Sequence, residues 1–381
     1  MKNKTLFAIF LFSFLTACTT NRNHTDPIKT VAETITISDE QILNQCYLSS
    51  IIDTALFIKL ESDPNDNFRI KRISFSDQFI FVLWERSNSI CVYNRKGDFL
   101  IELNRYCNQL SFADPSNLFY DSETKLLYIL YEDCVIVKCN LALNGTIKSI
   151  TSEKIPINSV NDIVKIPGSD FFGLSLHNAE IDLILTSSLS MDRNHIFREA
   201  KIPSSSNKTV VLRNAFVTDG QRCCFRKYMN DTVYAISDLG LFPLYIFDFK
   251  PHNSLNSIND NEIFAKHSAQ ANFFFFIDNT FYLKYSINRK DYFLIRSNNG
   301  SIHNFSLANL ENDIYGSLNL NCIGVDPITK TYVFYSSSLL LNRHLESSFI
   351  NRRYETIIKK IETGVDDKLI LVLLTFNDKE L

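Results

Sequence analysis

The sequence predicts an all-β protein, a six-bladed β-propeller built from four-stranded antiparallel blades. Apolar runs of five to eight residues alternate with turn signals, and almost no stretch has the 3.6-residue period of a helix. The chain has 31 Phe and 16 Tyr but only 10 Gly, a composition that favours β-rich packing. Because the chain is longer than one compact core commonly needs, we expect either two domains or one repetitive domain.

The clearest blade lies near the start of this pattern. Its four strands are predicted at 69–75, 79–84, 89–94 and 98–103. Gly97, in the turn between the last two strands, can take the positive φ that a tight turn requires. Four strands in a meander form one blade of a propeller.

A weaker copy of this unit follows at 117–150, which predicts a repeat. Phe79 and Leu126 are 47 residues apart, and Gly97 and Gly145 are 48 residues apart. Repeats near this length indicate propeller blades rather than solenoid coils. Further units continue the pattern at 162–187, 210–249, 272–305 and 320–376.

The two ends of the repetitive region predict how the ring closes. The early strand 55–62 has no blade of its own, and the late strand 369–376 lacks neighbours. An open ring would expose two sheet edges, so we expect these two strands to share the last blade. That blade also contains an atypical segment at 345–363, which has helical character.

The N-terminus has the pattern of an export signal. Lys2 and Lys4 precede the apolar run Leu6–Ala17. A transmembrane helix needs roughly 20 apolar residues, so this run is too short to span a bilayer. A basic start followed by a short apolar core is typical of a secretory signal peptide, which we assign to residues 1–17.

The residue after this run predicts a lipid anchor. Leu15-Thr16-Ala17-Cys18 resembles a bacterial lipobox, in which the cysteine thiol is acylated and becomes the new N-terminus. The alternative is an ordinary signal peptide followed by a chance cysteine. We expect residues 18–46 to be the lipidated N-terminus and a flexible tether, and 47–381 to be the propeller. The stretch after Cys18 has no acidic cluster, which favours a protein that faces the periplasm.

Charge and cysteine usage exclude several classes of site. The formal net charge is −3 and the basic residues are scattered, so nothing indicates nucleic-acid binding. The cysteine spacings match neither a disulfide framework nor a zinc site. We expect mostly free, buried thiols, with one disulfide as the main alternative. The eight cysteines concerned are those at 46, 91, 107, 134, 139, 223, 224 and 322.

Three stretches of the sequence resemble a known family. They are SSIIDTALFIKLES at 49–62, SICVYNRKGDFLIEL at 89–103 and YMNDTVYAISDLGLFPLYIFDF at 228–249. Together they resemble the six-bladed β-propeller lipoproteins of Bacteroides and relatives, whose blades are similar to NHL and TolB-type repeats. The family's Gly-rich loop after the first blade is replaced here by RYCNQLSFADPSNL, which implies a different ligand surface.

Candidate site residues are few, because a propeller assembles its site from separate blades. The sequence lacks a Walker loop, a G-x-S-x-G elbow, an H-E-x-x-H motif and an EF-hand loop. Polar residues beside blade-entry turns are candidates, namely Asp162, His177 and Asp219, although each is first interpreted as a solvated turn residue. The run Phe273–Phe276 is interpreted as a buried strand rather than a ligand contact. No catalytic, cofactor or metal residue is assigned, and Cys18 is the one predicted site.

The expected function is therefore a binding or scaffolding role in the cell envelope. The partner would be a peptide, a glycan or a protein, and the lipid would hold the propeller at the inner or outer membrane, with the outer membrane favoured. The alternative is a propeller enzyme, such as a lactonase-like hydrolase or a lyase, with a central Ca²⁺ held by acidic and amide oxygens. A purely structural platform would instead show a broad exposed apolar patch.

Overall fold

Six small sheets lie side by side around a ring in the computed structural model, which confirms the predicted six-bladed β-propeller. No helix among the described residues is long and apolar enough to cross a membrane. The structure describes residues 32–38, 42–43, 45–61, 69–107, 113–176, 181–190, 196–200, 215–227, 230–237, 240–250, 253–254, 268–288, 290–316, 320–347, 350–361 and 367–377.

The chain enters the ring through an N-terminal segment of short elements. These are β1 (Glu33–Ser38), β2 (Ile42–Leu43), β3 (Cys46–Tyr47), α1 (Leu48–Ile51) and β4 (Ile52–Lys59).

The first three blades are consecutive four-stranded antiparallel meanders. Blade 1 is β5 (Ile70–Phe75), β6 (Phe79–Trp84), β7 (Ile90–Asn94) and β8 (Phe99–Glu102), followed by α2 (Asn104–Cys107). Blade 2 is β9 (Pro115–Asp121), β10 (Leu126–Tyr131), β11 (Val135–Leu141) and β12 (Ile147–Lys154). Blade 3 is β13 (Val160–Lys165), β14 (Phe172–Leu176), β15 (Leu183–Thr186) and β16 (Ile196–Ala200).

The last three blades carry additional elements. Blade 4 is β17 (Phe216–Thr218), β18 (Cys223–Phe225), β19 (Thr232–Ser237) and β20 (Gly240–Lys250). After β21 (Asn253–Ser254), blade 5 is β22 (Ser268–Ile277), β23 (Thr280–Ile287), β24 (Lys290–Arg296) and β25 (Ile302–Ser306), followed by β26 (Leu310–Glu311). Blade 6 is β27 (Gly324–Asp326), β28 (Thr331–Ser337), α3 (Ser338–Leu345), α4 (Arg352–Ile358) and β29 (Leu369–Phe376), with β4 as its outer strand.

The ring closes as the sequence predicts. β4 pairs antiparallel with β29, from Ile52 opposite Phe376 to Lys59 opposite Ile370. An early strand and the last strand of the described chain therefore share one sheet, which closes the ring. The helical segment expected at 345–363 is present as α4, and a further helix that was not expected, α3, precedes it between β28 and α4.

The N-terminal segment corrects the predicted tether, because part of residues 18–46 forms strands of the ring. β1 pairs in parallel with β20 at the edge of blade 4, and β2 pairs in parallel with β25 at the edge of blade 5. Alternate side chains of β1, Ile35 and Ile37, are buried in the core. The pairing of β1 with β20 covers the outer edge of blade 4, which would otherwise present unpaired backbone N–H and C=O groups.

The core consists of strands that are buried on both faces. All six residues of β6 are buried, as are the first six of β29. In the run Phe273–Phe276, the last three rings are at most 4% exposed whereas Phe273 is 39% exposed, which confirms the core interpretation for three of the four. Six of the seven cysteines whose side chains are described are buried, as expected, and Cys46 is partly buried.

A tight contact joins blade 1 to the closing strand. Gly97 has a φ of +96°, and a Cβ at this position would overlap the carbonyl oxygen of Lys59 at the end of β4. The Gly97 carbonyl accepts a hydrogen bond from the Glu61 N–H at 3.0 Å. The glycine in this turn is therefore required both by its backbone conformation and by the lack of space.

Gly97→Ala should destabilise the ring more than the matched change Gly300→Ala. Both glycines have positive φ, but a Cβ at Gly300 meets nothing within 4 Å. We expect Gly300→Ala to cost about 1 kcal/mol for the backbone conformation, and Gly97→Ala to cost about 2 kcal/mol more for the overlap. Chemical denaturation of both variants measures the difference, and equal losses would contradict the role of Gly97 in closure.

Candidate functional site

The inner strands of all six blades surround a central cavity of about 450 Å³. β5, β9, β13, β17, β22 and β27 follow one another around it. The turns that join the inner strand to the second strand line one end of the cavity in blades 1, 2, 4, 5 and 6, and we call this end the mouth. Each inner strand or its immediate flank contributes an apolar side chain to the wall: Ile73, Leu118, Val164, Phe216, Phe275 and Ile323.

Two of the turns beside the cavity have the same sequence pattern and the same hydrogen bonds. Asp121 accepts from the Glu123 N–H at 3.1 Å and the Thr124 hydroxyl at 2.6 Å. Asp326 accepts from the N–H two residues later at 3.1 Å and the hydroxyl three residues later at 2.7 Å. The lysine that ends each turn, Lys125 or Lys330, lies at the cavity mouth with a positive φ.

Asp219, a predicted candidate, is likewise a turn residue, but it is largely buried rather than solvated. It accepts from the N–H groups of Gln221 at 3.0 Å and Arg222 at 2.8 Å. It also accepts from the N–H of Asp278 at 3.2 Å, in the corresponding turn of blade 5. These bonds join two blades at the mouth and occupy both carboxylate oxygens.

A polar cluster from three blades lies beside the cavity, and Arg72 is its member that lines the cavity wall. The Arg72 guanidinium, which lines the cavity, reaches across from blade 1 to both oxygens of Asp162 in blade 3, at 3.2 and 3.3 Å. The Asn117 side-chain amide of blade 2 donates to the same carboxylate. Arg72, Asn117 and Asp162 are spaced 45 residues apart along the chain, so they occupy related places in successive blades.

Asp162 is fully buried, so the structure corrects its interpretation as a solvated turn residue. Its Oδ1 also accepts from its neighbour, the Ile163 N–H, at 2.8 Å, and its Oδ2 accepts from the N–H groups of Ala215 and Phe216 in and beside blade 4, at 2.8 and 3.1 Å. Burial raises the pKa of the Asp162 carboxyl, and Arg72 and three backbone N–H groups oppose that rise. The carboxylate therefore ties four blades together at the channel.

The mouth carries charges of both signs. Lys330 and Asp278 form an exposed ion pair at 2.8 Å. Asp77 and Lys125 also line the cavity mouth, and both are exposed. Because both side chains are exposed, they can contact a ligand without any rearrangement of the core.

The remaining predicted site residues lie outside this cavity or outside the described part of the chain. Cys18 and His177 both fall outside the described residues. Among the residues that are described, no group of three or more His, Cys, Asp or Glu is arranged to hold a metal ion. The Ca²⁺ expected by the enzyme alternative stays a prediction.

Sequence reasoning missed Arg72, Asn117 and the paired turns, although signals for both were present. The D-x-x-T-K pattern occurs at 121–125 and again at 326–330. The 45-residue spacing of the three buried polar residues matches the blade repeat closely. Comparing polar positions at that spacing, rather than searching for linear motifs, would have found both.

The fold and the central cavity define a six-bladed propeller whose channel holds a cavity large enough for a ligand. Comparison with known proteins gives the family. The family model DUF5128, described as 6-bladed beta-propeller, matches residues 23–333. The chain therefore belongs to this family. No curated protein matches it.

Two solved structures are similar to this chain. A Bacteroides fragilis protein described as a candidate exported protein has a TM-score of 0.70 at 13% identity, covering 91% of this chain and 100% of that one. A DUF4221 family member from Bacteroides vulgatus has a TM-score of 0.47 at 9% identity, covering 86% of this chain and 98% of that one. The first similarity supports the fold alone, and the second is too low to carry an argument.

Asp162→Asn should destabilise the propeller strongly. The amide would place an N–H₂ group against donors and leave the Arg72 guanidinium without its counter-charge, which costs about 3 kcal/mol or more. The matched variant Asp77→Asn, at an exposed mouth position, should change stability by less than about 0.5 kcal/mol. Urea denaturation measures both, and similar losses in the two variants would contradict a clamping role for Asp162.

Proposed function

We propose that this protein is a binding module of the cell envelope and that the central cavity receives an apolar part of a peptide partner. The cavity volume of about 450 Å³ falls within the range of small-ligand pockets, which are mostly apolar with a few placed polar groups. The observation that carries the proposal is the combination of an apolar wall on all six blades with a mouth of mixed charge.

The use of the acidic groups favours binding over catalysis. Asp121, Asp219 and Asp326 accept hydrogen bonds within their turns, and Asp162 accepts from four blades. A general base or a metal ligand needs a lone pair that faces the substrate or ion. These carboxylates instead shape the cavity, so the hydrolase or lyase alternative gains no support from them.

A peptide fits the mouth better than a glycan does. Asp77 and Lys125 offer opposite charges on neighbouring blades, and Tyr120 of β9 also lines the cavity. A peptide supplies donors, acceptors and charges of both signs beside an apolar side chain. A glycan would need broad exposed aromatic faces, whereas Phe75, Phe216 and Phe275 are each at most 4% exposed.

We further propose that Cys18 carries a lipid and that the propeller is held at a membrane of the cell envelope, with the outer membrane, on its periplasmic side, as the favoured place. The lipobox-like sequence supports this anchor. The description of the Bacteroides fragilis neighbour as a candidate exported protein agrees with export. Two or three acyl chains, at ~0.8 kcal/mol per buried CH₂, would retain the domain stably.

Filling the cavity should weaken peptide binding. We expect linear peptides with a bulky apolar residue to be selected from a displayed random library by the parent protein. Val325→Trp places an indole in the cavity wall and should reduce the affinity for the selected peptides by about tenfold or more. Isothermal titration with a selected peptide measures the loss.

Two further variants make that experiment decisive. Ile328→Asp alters a mouth residue that is 52% exposed, so it should reduce binding without affecting folding. Leu143→Asp, at a position 77% exposed on blade 2, is the matched control and should bind like the parent. Peptides that bind all three variants equally would overturn the proposal, and Ca²⁺-dependent turnover of a lactone or polysaccharide would favour the enzyme.

Cys18→Ser should release the protein from the membrane fraction of a bacterial host that processes lipoproteins. The hydroxyl cannot take the thioether-linked lipid, so the acyl chains that retain the domain are lost. Fractionation with metabolic labelling by a fatty acid measures both effects. Labelling that persists in the serine variant would show that the lipid is attached elsewhere.

A further inference from the structure

The helical insertion of blade 6, residues 338–361, differs in charge from the rest of the molecule. It contains five basic and two acidic residues, in a chain whose formal net charge is −3. Tyr354 and Ile358 of α4 are buried, whereas Arg353 and Ile357 of the same helix are exposed. Lys360, two residues after the helix ends, is also exposed and continues their spacing. The exposed side of this helix therefore combines cations with an apolar side chain.

The neighbouring helix α3 adds apolar area to the same insertion. Leu339 is 46% exposed and Leu340 is 42% exposed, and they are the only consecutive pair among the exposed large apolar residues of the described chain. Arg343, one turn later, is also exposed. We define the α3–α4 surface as Leu339, Leu340, Arg343, Arg353, Ile357 and Lys360.

Both helices are fixed to the body of the propeller. The Ser337 hydroxyl caps α3 by accepting from the Leu340 N–H at 3.2 Å. Asn351 caps α4 by accepting from the Arg353 N–H at 3.1 Å, and it donates to the Ser49 hydroxyl at 3.0 Å. The α3–α4 surface therefore lies on two capped helices, one of which is hydrogen-bonded to α1.

The nearest described carboxylate at the start of α3 is already engaged. Asp367 accepts from the Leu339 N–H at 2.9 Å and from the Ser338 hydroxyl at 3.2 Å. It serves the helix N-terminus, where a negative charge is favourable. It therefore does not form an ion pair with the cations of the α3–α4 surface.

We propose that the α3–α4 surface docks on an anionic lipid bilayer. Cations interspersed with exposed leucine and isoleucine match a membrane interface, where headgroups take the charges and the acyl boundary takes the apolar side chains. An acidic protein would satisfy Arg353 and Lys360 but would leave the leucine pair without an apolar environment. This inference rests on neither the lipid at Cys18 nor the peptide in the cavity.

The position of the surface agrees with the proposed binding role. β28 begins beside Lys330 at the cavity mouth and ends at Ser337, where α3 begins. Its seven residues span roughly 20 Å at the rise of an extended strand. Docking through the leucine pair therefore leaves the cavity mouth at the other end of β28 accessible.

Vesicle sedimentation tests the proposal, with the full chain carrying Cys18→Ser so that no acyl chain contributes. We expect stronger binding to equimolar phosphatidylcholine and phosphatidylglycerol than to phosphatidylcholine alone, and the excess should fall as salt is raised. Arg353→Gln/Lys360→Gln should reduce that excess by about fivefold per cation removed. Binding to neutral vesicles reports the contribution of the apolar N-terminal run, which all variants share.

Matched variants separate the surface from general charge and hydrophobicity. Leu339→Gln/Leu340→Gln keeps helix propensity and should also reduce binding to anionic vesicles. Lys96→Gln/Lys148→Gln and Leu143→Gln change exposed residues on blades 1 and 2 and should bind like the parent. Equal binding to both vesicle types, or equal losses in test and control variants of unchanged melting temperature, would overturn the proposal.

Discussion

The pairing of β4 with β29 is the constraint on which the rest of the molecule depends. It joins an early strand of the described chain to its last strand in one sheet, and so closes the ring. A ring open at this point would expose two sheet edges and separate β27 from β5, its neighbour at the channel. The turn at Gly97 in blade 1 packs directly on Lys59 at the end of β4, so blade 1 is in contact with the closing strand. The cavity exists because the ring is closed.

Ring closure surrounds the cavity, and a polar cluster beside it links the first four blades to one another. Asp162 accepts hydrogen bonds from the first four blades, and Arg72 balances its charge. Such a buried ion pair adds little net stability over apolar packing, but breaking it is costly. Its effect is thus to hold the inner strands in register, so that one apolar residue from each faces the cavity. The buried polar cluster and the central cavity are therefore parts of one arrangement.

Much of the fold could be predicted because its signals are local. The apolar runs, the Gly97 and Gly145 turns and the near-constant repeat predict blades, and the strand without a blade at 55–62 predicts closure. The predicted tether was too long, because β1 looks polar in sequence and gains burial only beside β20, more than 200 residues later. The site was largely missed. Asp162 stands among turn and strand residues in the sequence, and only the approach of Arg72 and Asn117 identifies it as buried.

The sequence by itself determined the architecture, the closing strand and the lipobox-like leader, since each depends on composition, periodicity or short motifs within one stretch of chain. Only the tertiary structure decided which polar groups are free and which are engaged. The sequence does not distinguish four aspartates as potential catalytic acids: Asp121, Asp162, Asp219 and Asp326. In the structure each of them accepts hydrogen bonds from the protein's own backbone. The physical reason is that a propeller brings together residues one blade apart, so the chemistry of its centre is set by contacts that no local pattern contains.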